Sequence, residues 1–168
     1  MTDPEKTMVL DAEVILNKVI RMAYEILENN VHEKSLVVAG IDGQGYTLAK
    51  MLVKELKKIS DMELRIVRIG IDKKTPETSE VTLDAEPSEL RRKAVILVDD
   101  VLNTGKIIFC SMRPFQQLLV KKMEVAVLVN RSHLLFPIQA NYTGYALATT
   151  LTDHIEVVLD KNPAVYLH

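Results

Sequence analysis

The stretch "AVILVDDVLNTGKIIF", residues 94–109, does most to restrict what this chain can fold into. An apolar, β-branched run from Ala94 to Val98 ends on two consecutive carboxylates, Asp99 and Asp100, followed by a small polar turn and a second apolar run. Such a run, bounded by acids and a glycine-bearing turn, reads as a buried strand that hands its carboxyl end to a loop and then a helix. The same order occurs upstream. "SLVVAGI" (35–41) leads through a glycine loop into "GQGYTLAKMLVKELKKI", where Leu48, Met51, Leu52 and Leu56 share one helical face. Strand, loop and helix in repetition predict an α/β fold with a mostly parallel, helix-covered sheet.

The other segments fit that frame. "DAEVILNKVIRMAYEILENN" carries apolar residues at helical spacing, with Asp11 as N-cap and Asn29-Asn30 as the stop. "ELRIVRIGI" (63–71) and "MEVAVLVN" (123–130) predict further strands. The charged stretch between them, "DKKTPETSEVTLDAEPSELRRK", has no core face of its own and reads as a loop or exposed hairpin. Pro114 is expected to kink or shorten the helix after the turn. "FPIQANYTGYALATTLTDHIEVVLD" suggests small strands capping one end of the sheet.

A chain of 168 residues, 48% of them hydrophobic, suits a single domain over 1–168. Its 21 basic and 23 acidic side chains leave a net charge of −2, so there is no global basic field of the kind common in nucleic-acid binders, although a local basic face stays open. Cys110 is the only cysteine, which rules out an internal disulfide and a cysteine-based zinc site. The polar, acidic amino terminus and the lack of any apolar run near 20 residues predict a cytoplasmic protein with no membrane association.

In open α/β sheets ligands sit beyond the carboxyl ends of the strands, where both glycine loops emerge and could share one crevice. Backbone N–H groups from Asn103 to Ile107 would open a helix and offer an anion site. Asp99 and Asp100 beside it would repel a bare phosphate but accept hydrogen bonds from sugar hydroxyls, so a phosphorylated ribose satisfies both halves. The bland alternatives are an Asp cap beside a solvated acid, and glycines at 43 and 45 that merely permit a tight turn. A Walker A loop fails on spacing: Asp100 stands where its first glycine belongs, and Ile107 follows "GK". "GIDGQG" lacks the G-x-G-x-x-G order of a dinucleotide fold.

"VILVDDVLNTGK" resembles the phosphoribosyl diphosphate signature of type I phosphoribosyltransferases. Within that group the chain is most similar to the bifunctional pyrimidine operon regulator and uracil phosphoribosyltransferase family, through "IRMAYEILENN", "LVVAGIDGQGYTLAKML", the signature and "AVLVNRSHLLFPIQANYTG". The resemblance implies a five-stranded parallel core with a small hood, a homodimer or higher homo-oligomer, and transfer of phosphoribose to a nucleobase, with Mg²⁺ carried on the substrate's pyrophosphate. It assigns Asp99 and Asp100 to the ribose hydroxyls, Asn103, Thr104, Gly105, Lys106 and Ile107 to the 5′-phosphate, and Asp42, Gly43, Gln44 and Gly45 to the pyrophosphate. The matching hood stretch carries Arg131, assigned to the substrate, and His133, for which contact with the base is one reading and a surface or hydrogen-bonded histidine the other.

Three departures from that family bear on turnover. Gln44 stands where a basic residue usually precedes the glycine, Ile107 replaces a hydroxyl residue, and the segment between Gly70 and Val95 is shorter than the family's flexible loop. Lys73 and Lys74 are candidate substitutes over the pyrophosphate. Asn103, where purine enzymes often carry an acid, favours a pyrimidine, most simply uracil. The alternative is a nucleotide-sensing, RNA-binding regulator with weak catalysis, although Lys18, Arg21, Lys54, Lys57, Lys58, Arg91, Arg92, Lys121 and Lys122 are scattered among acids.

Overall fold

Residues 5–168 are described by a computed structural model; the first four residues of the amino-terminal stretch lie outside it. The elements run β1 (Thr7–Leu10), α1 (Ala12–Asn29), β2 (Ser35–Ile41), α2 (Gln44–Ile59), β3 (Glu63–Gly70), β4 (Thr82–Leu83), α3 (Pro87–Leu90), β5 (Ala94–Leu102) and α4 (Lys106–Ser111). A 3₁₀ turn (Arg113–Gln117), β6 (Lys122–Asn130), β7 (Tyr142–Ala146), β8 (Ile155–Val158) and β9 (Ala164–Leu167) complete the chain.

The main sheet has the order β4-β3-β2-β5-β6-β7. Its five long strands are parallel, as expected, and the two-residue β4 adds an antiparallel edge against β3. Alternation along β5 splits the core. Ile96 and Val98 join Ile15, Val19, Leu48 and Leu52 under α1 and α2, while Val95 and Leu97 join Ile108 and Phe115 on the other face.

Local signals explain most boundaries. Asp11 caps α1 by accepting from the Val14 N–H at 2.9 Å, and Asn30 ends it by donating to the Ile26 carbonyl at 2.8 Å. The expected helix after the turn at 103–105 is only six residues long. Pro114 lacks an N–H and its ring excludes a continuing α-helix, so the chain goes on as a 3₁₀ turn.

A second, antiparallel sheet of order β1-β9-β8 forms the hood. The carboxyl-terminal strands therefore divide: β7 extends the main sheet and only β8 and β9 build the hood. β1, which pairs with β9 from Thr7↔Leu167, falls in a stretch expected to be merely polar. Among the described residues no helix is long and apolar enough to cross a membrane.

Candidate active site

Adjacent strands β2 and β5 mark the point where the chain order of the sheet reverses, and each sends a loop into the crevice above it. Beyond β2 the Asp42 N–H still donates to the Ile69 carbonyl at 2.9 Å. Gly43 then turns the backbone at φ 95°, a region in which a side chain is strained, and α2 starts at Gln44. Gly45 lies directly against β5: a Cβ there would meet Asp99 Oδ1 at 2.8 Å and Asp99 Cα at 3.1 Å. The structure thus sets the first turn of α2 against the strand that carries the acidic pair.

Asp99 and Asp100 sit inside β5, which continues to Leu102, rather than at its end. Asp99 is buried and accepts from the Asp100 N–H at 2.9 Å; Asp100 is half-buried. Burial, reinforced by the neighbouring Asp100 charge, pushes the Asp99 carboxyl well above the usual range, and the Lys73 ammonium partly offsets this.

Past Leu102, Gly105 adopts φ 86° and α4 begins at Lys106. The amides of the first turn of α4 have no intrahelical acceptor; the Lys106 N–H reaches the Thr104 hydroxyl at 3.3 Å. Asp99 and the loop from Asn103 to Ile107 line a small pocket of about 130 Å³. Asn103 and Thr104 also border a larger cleft of about 450 Å³, walled by Arg131, His133, Leu134, Leu135 and Leu151, a size suited to a small organic ligand.

Arg131 borders this cleft with its guanidinium already engaged. It is buried and donates to Thr149 Oγ1 at 3.0 Å and to the carbonyls of Thr150 and Asp153 at 3.2 and 2.8 Å. His133 Nε2 lies 2.9 Å from both the carbonyl and the hydroxyl of Thr149. Both side chains hold the 149–153 segment as the cleft's far wall.

The Phosphoribosyl transferase domain model matches residues 5–160. The chain belongs to the phosphoribosyltransferase family. It is 34% identical over 162 residues to the bifunctional protein pyrR of Enterococcus faecalis, covering 93% of this chain and 91% of that protein. It is 30% identical over 176 residues to the bifunctional protein PyrR of Bacillus pumilus, covering 98% of each. Among solved structures, a hypoxanthine phosphoribosyltransferase of Trypanosoma cruzi shares the fold at TM-score 0.80 and 14% identity, over 96% of each chain. One from Staphylococcus aureus does so at TM-score 0.70 and 22% identity, over 84% of this chain and 77% of that one.

Within this phosphoribosyltransferase-family fold, Gln44 and Asp42 have partners that the sequence does not show, because they are distant in the chain. Gln44 Oε1 accepts from the Leu159 N–H at 2.8 Å and its Nε2 donates to Asp160 at 3.0 Å. Thr47 adds a bond to Asp160 at 3.2 Å. Gln44 therefore ties the glycine loop to the chain leaving β8. Asp42 pairs with Arg68 at 3.5 Å, and the Arg68 guanidinium stacks over Tyr46 at 4.3 Å. Arg68, the basic residue preceding "IGI", carries no sequence signal that it would pair with Asp42.

Proposed function

We propose that the protein transfers the phosphoribosyl group of phosphoribosyl diphosphate to a nucleobase, most simply uracil, releasing pyrophosphate. The contact between Gly45 and Asp99 supports this reading, because it sets the turn entering α2 against the strand whose acidic pair leads into the loop from Asn103 to Ile107. In it, Asp99 and Asp100 receive the ribose hydroxyls, residues Asn103–Ile107 hold the 5′-phosphate, and Asp42–Gly45 receive the pyrophosphate. The ring nitrogen of the base bonds to C1′ as the bond from C1′ to the pyrophosphate oxygen breaks, and the nitrogen's proton passes to the departing pyrophosphate. Fixing both ends of the sugar lowers the cost of reaching an oxocarbenium-like transition state.

Mg²⁺ would come on the substrate's pyrophosphate with waters as its other ligands, and the half-buried Asp100 carboxylate is the acidic charge the site offers it. When bound, Mg²⁺ would neutralise charge on the departing pyrophosphate. Asn103 and the leucine-lined cleft favour a small uncharged base, since the Arg131 guanidinium and the His133 ring at its edge are engaged with the 149–153 segment.

The protein is proposed to work in the cytoplasm as a homodimer or higher homo-oligomer; exposed Leu16 and Tyr24 on α1 offer apolar surface for that contact. The test of the activity is pyrophosphate release from phosphoribosyl diphosphate and Mg²⁺ over a panel of nucleobases, with Asp100→Asn beside the wild type. Turnover with uracil, reduced in the variant, is expected. Turnover confined to purines would overturn the choice of base.

A regulator that binds RNA is the second reading. It is favoured by the gathering of Arg91, Arg92 and Lys93 with Lys121 and Lys122, which the Lys121 N–H to Lys93 carbonyl bond (2.8 Å) and the Arg92 N–H to Leu119 carbonyl bond (3.0 Å) hold together. Binding of phosphoribosyl diphosphate without turnover on any base, together with RNA affinity that falls steeply with salt, would select it.

A further inference from the structure

The segment between β3 and β4 has few apolar anchors: Ile71 and Val81 near its ends pack on the second core cluster. Side chains hold the rest. Arg113 donates to the carbonyls of Ser79, Pro76 and Glu77 at 2.8, 2.9 and 3.3 Å. Asp72 folds the start of the segment by accepting from the Lys74 N–H at 2.9 Å and the Thr75 hydroxyl at 3.2 Å. A third tether leads into the phosphate loop, where Glu77 pairs with Lys106.

Lys106 is the only cationic side chain between Asn103 and Ile107. We propose that Glu77 is a built-in competitor for the substrate's phosphate, its carboxylate occupying the phosphate loop's one cationic side chain and thereby setting the loop's affinity for a phosphomonoester. The inference rests on the reading of residues 103–107 as the 5′-phosphate site.

The physical argument is an exchange of partners. An arriving phosphate dianion is repelled by the Glu77 carboxylate and gains the Lys106 ammonium only as Glu77 gives it up. Lys106 also holds the Glu77 carboxyl below the usual range, so the competitor is charged at neutral pH. Both side chains are partly exposed, which limits the effect to the scale of a single screened ion pair. Arg113 grips backbone carbonyls rather than the Glu77 side chain, so an amide at position 77 removes the charge while the segment keeps its anchor.

The experiment is calorimetric titration of ribose 5-phosphate into the wild type, Glu77→Gln, Lys106→Met and the double variant, at low and high salt. Glu77→Gln is expected to tighten binding about two- to fivefold, the scale of one exposed pair. That gain is expected to shrink at high salt and to vanish in the Lys106→Met background. Equal affinity in wild type and Glu77→Gln would overturn the inference alone. So would a gain that persists without Lys106, because it would then be general repulsion rather than occupancy of the cation. Absence of binding in both wild type and Glu77→Gln would overturn the phosphate-site reading and this inference with it.

Discussion

Gly45 and Asp99 touch with no room for a side chain between them: a Cβ on Gly45 would stand 2.8 Å from the Asp99 carboxylate and 3.1 Å from its Cα. The first turn of α2 and the carboxyl half of β5 therefore set each other's position. Gly45→Ala is expected to cost about 1–3 kcal/mol, the range for overpacking a filled site, and to weaken ribose 5-phosphate binding. Urea denaturation and calorimetry measure the two effects; an unchanged denaturation midpoint would show that the contact yields.

Asp99 makes stability fall as pH rises. Below its ordinary value of 3.8 the carboxyl is protonated in folded and unfolded chains alike. Between that value and its raised native one, the unfolded chain releases a proton that the native chain keeps, so unfolding gains with pH. Asp99→Asn removes the penalty. The variant is expected to exceed the wild type by about 0.5–2 kcal/mol near neutral pH, as relief of a strained functional site often does. The gain should close toward about pH 4, the ordinary carboxyl range, and ribose binding should be weaker. Thermal melts across pH report the trend, and a gain that widened on acidification would contradict it.

Gln44 does not face the crevice as a free donor, because Leu159 and Asp160 hold both ends of its amide. Gln44→Ala should expose the Leu159 N–H to hydrogen exchange and raise KM for phosphoribosyl diphosphate severalfold. A lysine at 44 would pair with Asp160, so Gln44→Lys alone should leave kcat nearly unchanged. Combined with Asp160→Asn it should raise kcat by about tenfold, at the low end of what one added electrostatic donor contributes. Equal kcat in the two would refute the restraint.

Arg131 is expected to be needed for the cleft's shape. Arg131→Met leaves the Thr150 and Asp153 carbonyls without their donor and should cost about 2–4 kcal/mol, as loss of charged hydrogen bonds in a buried site does. Arg131→Lys should recover only part of it, since an ammonium cannot span the same acceptors. Peptide-resolved exchange is expected to show faster labelling of residues 149–153; protection equal to wild type would remove the assignment.

Lys73 is the cation set against Asp99. Lys73→Ala is expected to lower kcat by about tenfold, a share of the loss seen when a transition-state donor is removed, and Lys74→Ala to have much less effect. Steady-state kinetics of both variants decide it, and an unchanged rate in Lys73→Ala would end the idea that this side chain serves the pyrophosphate.

What could be read from the chain tracks how local each cause is. β2, β5 and β6 announce themselves as short β-branched runs, and Asp11 and Pro114 mark a helix start and a helix end through their own chemistry. The acidic pair and both glycine turns were visible because neighbouring residues build them. The hood was read only in part, since β1 is four residues long and gains its identity by pairing across almost the whole chain with β9. The resemblance assigns Gln44 and Arg131 to ligand, yet their side chains are engaged by partners 115 and about 20 residues away. Such engagements follow from tertiary placement, which no short window encodes.

The bond from Leu159 to Gln44 also gives the site a schedule. A chain made from its amino terminus presents the glycine loop early, but the amide of Gln44 finds its acceptor and donor only after 115 further residues have followed. The parallel strands around the crevice can assemble before then. On the ribosome, the pocket would thus exist first as an open half-site, and its fastening would wait until Leu159 and Asp160 have emerged.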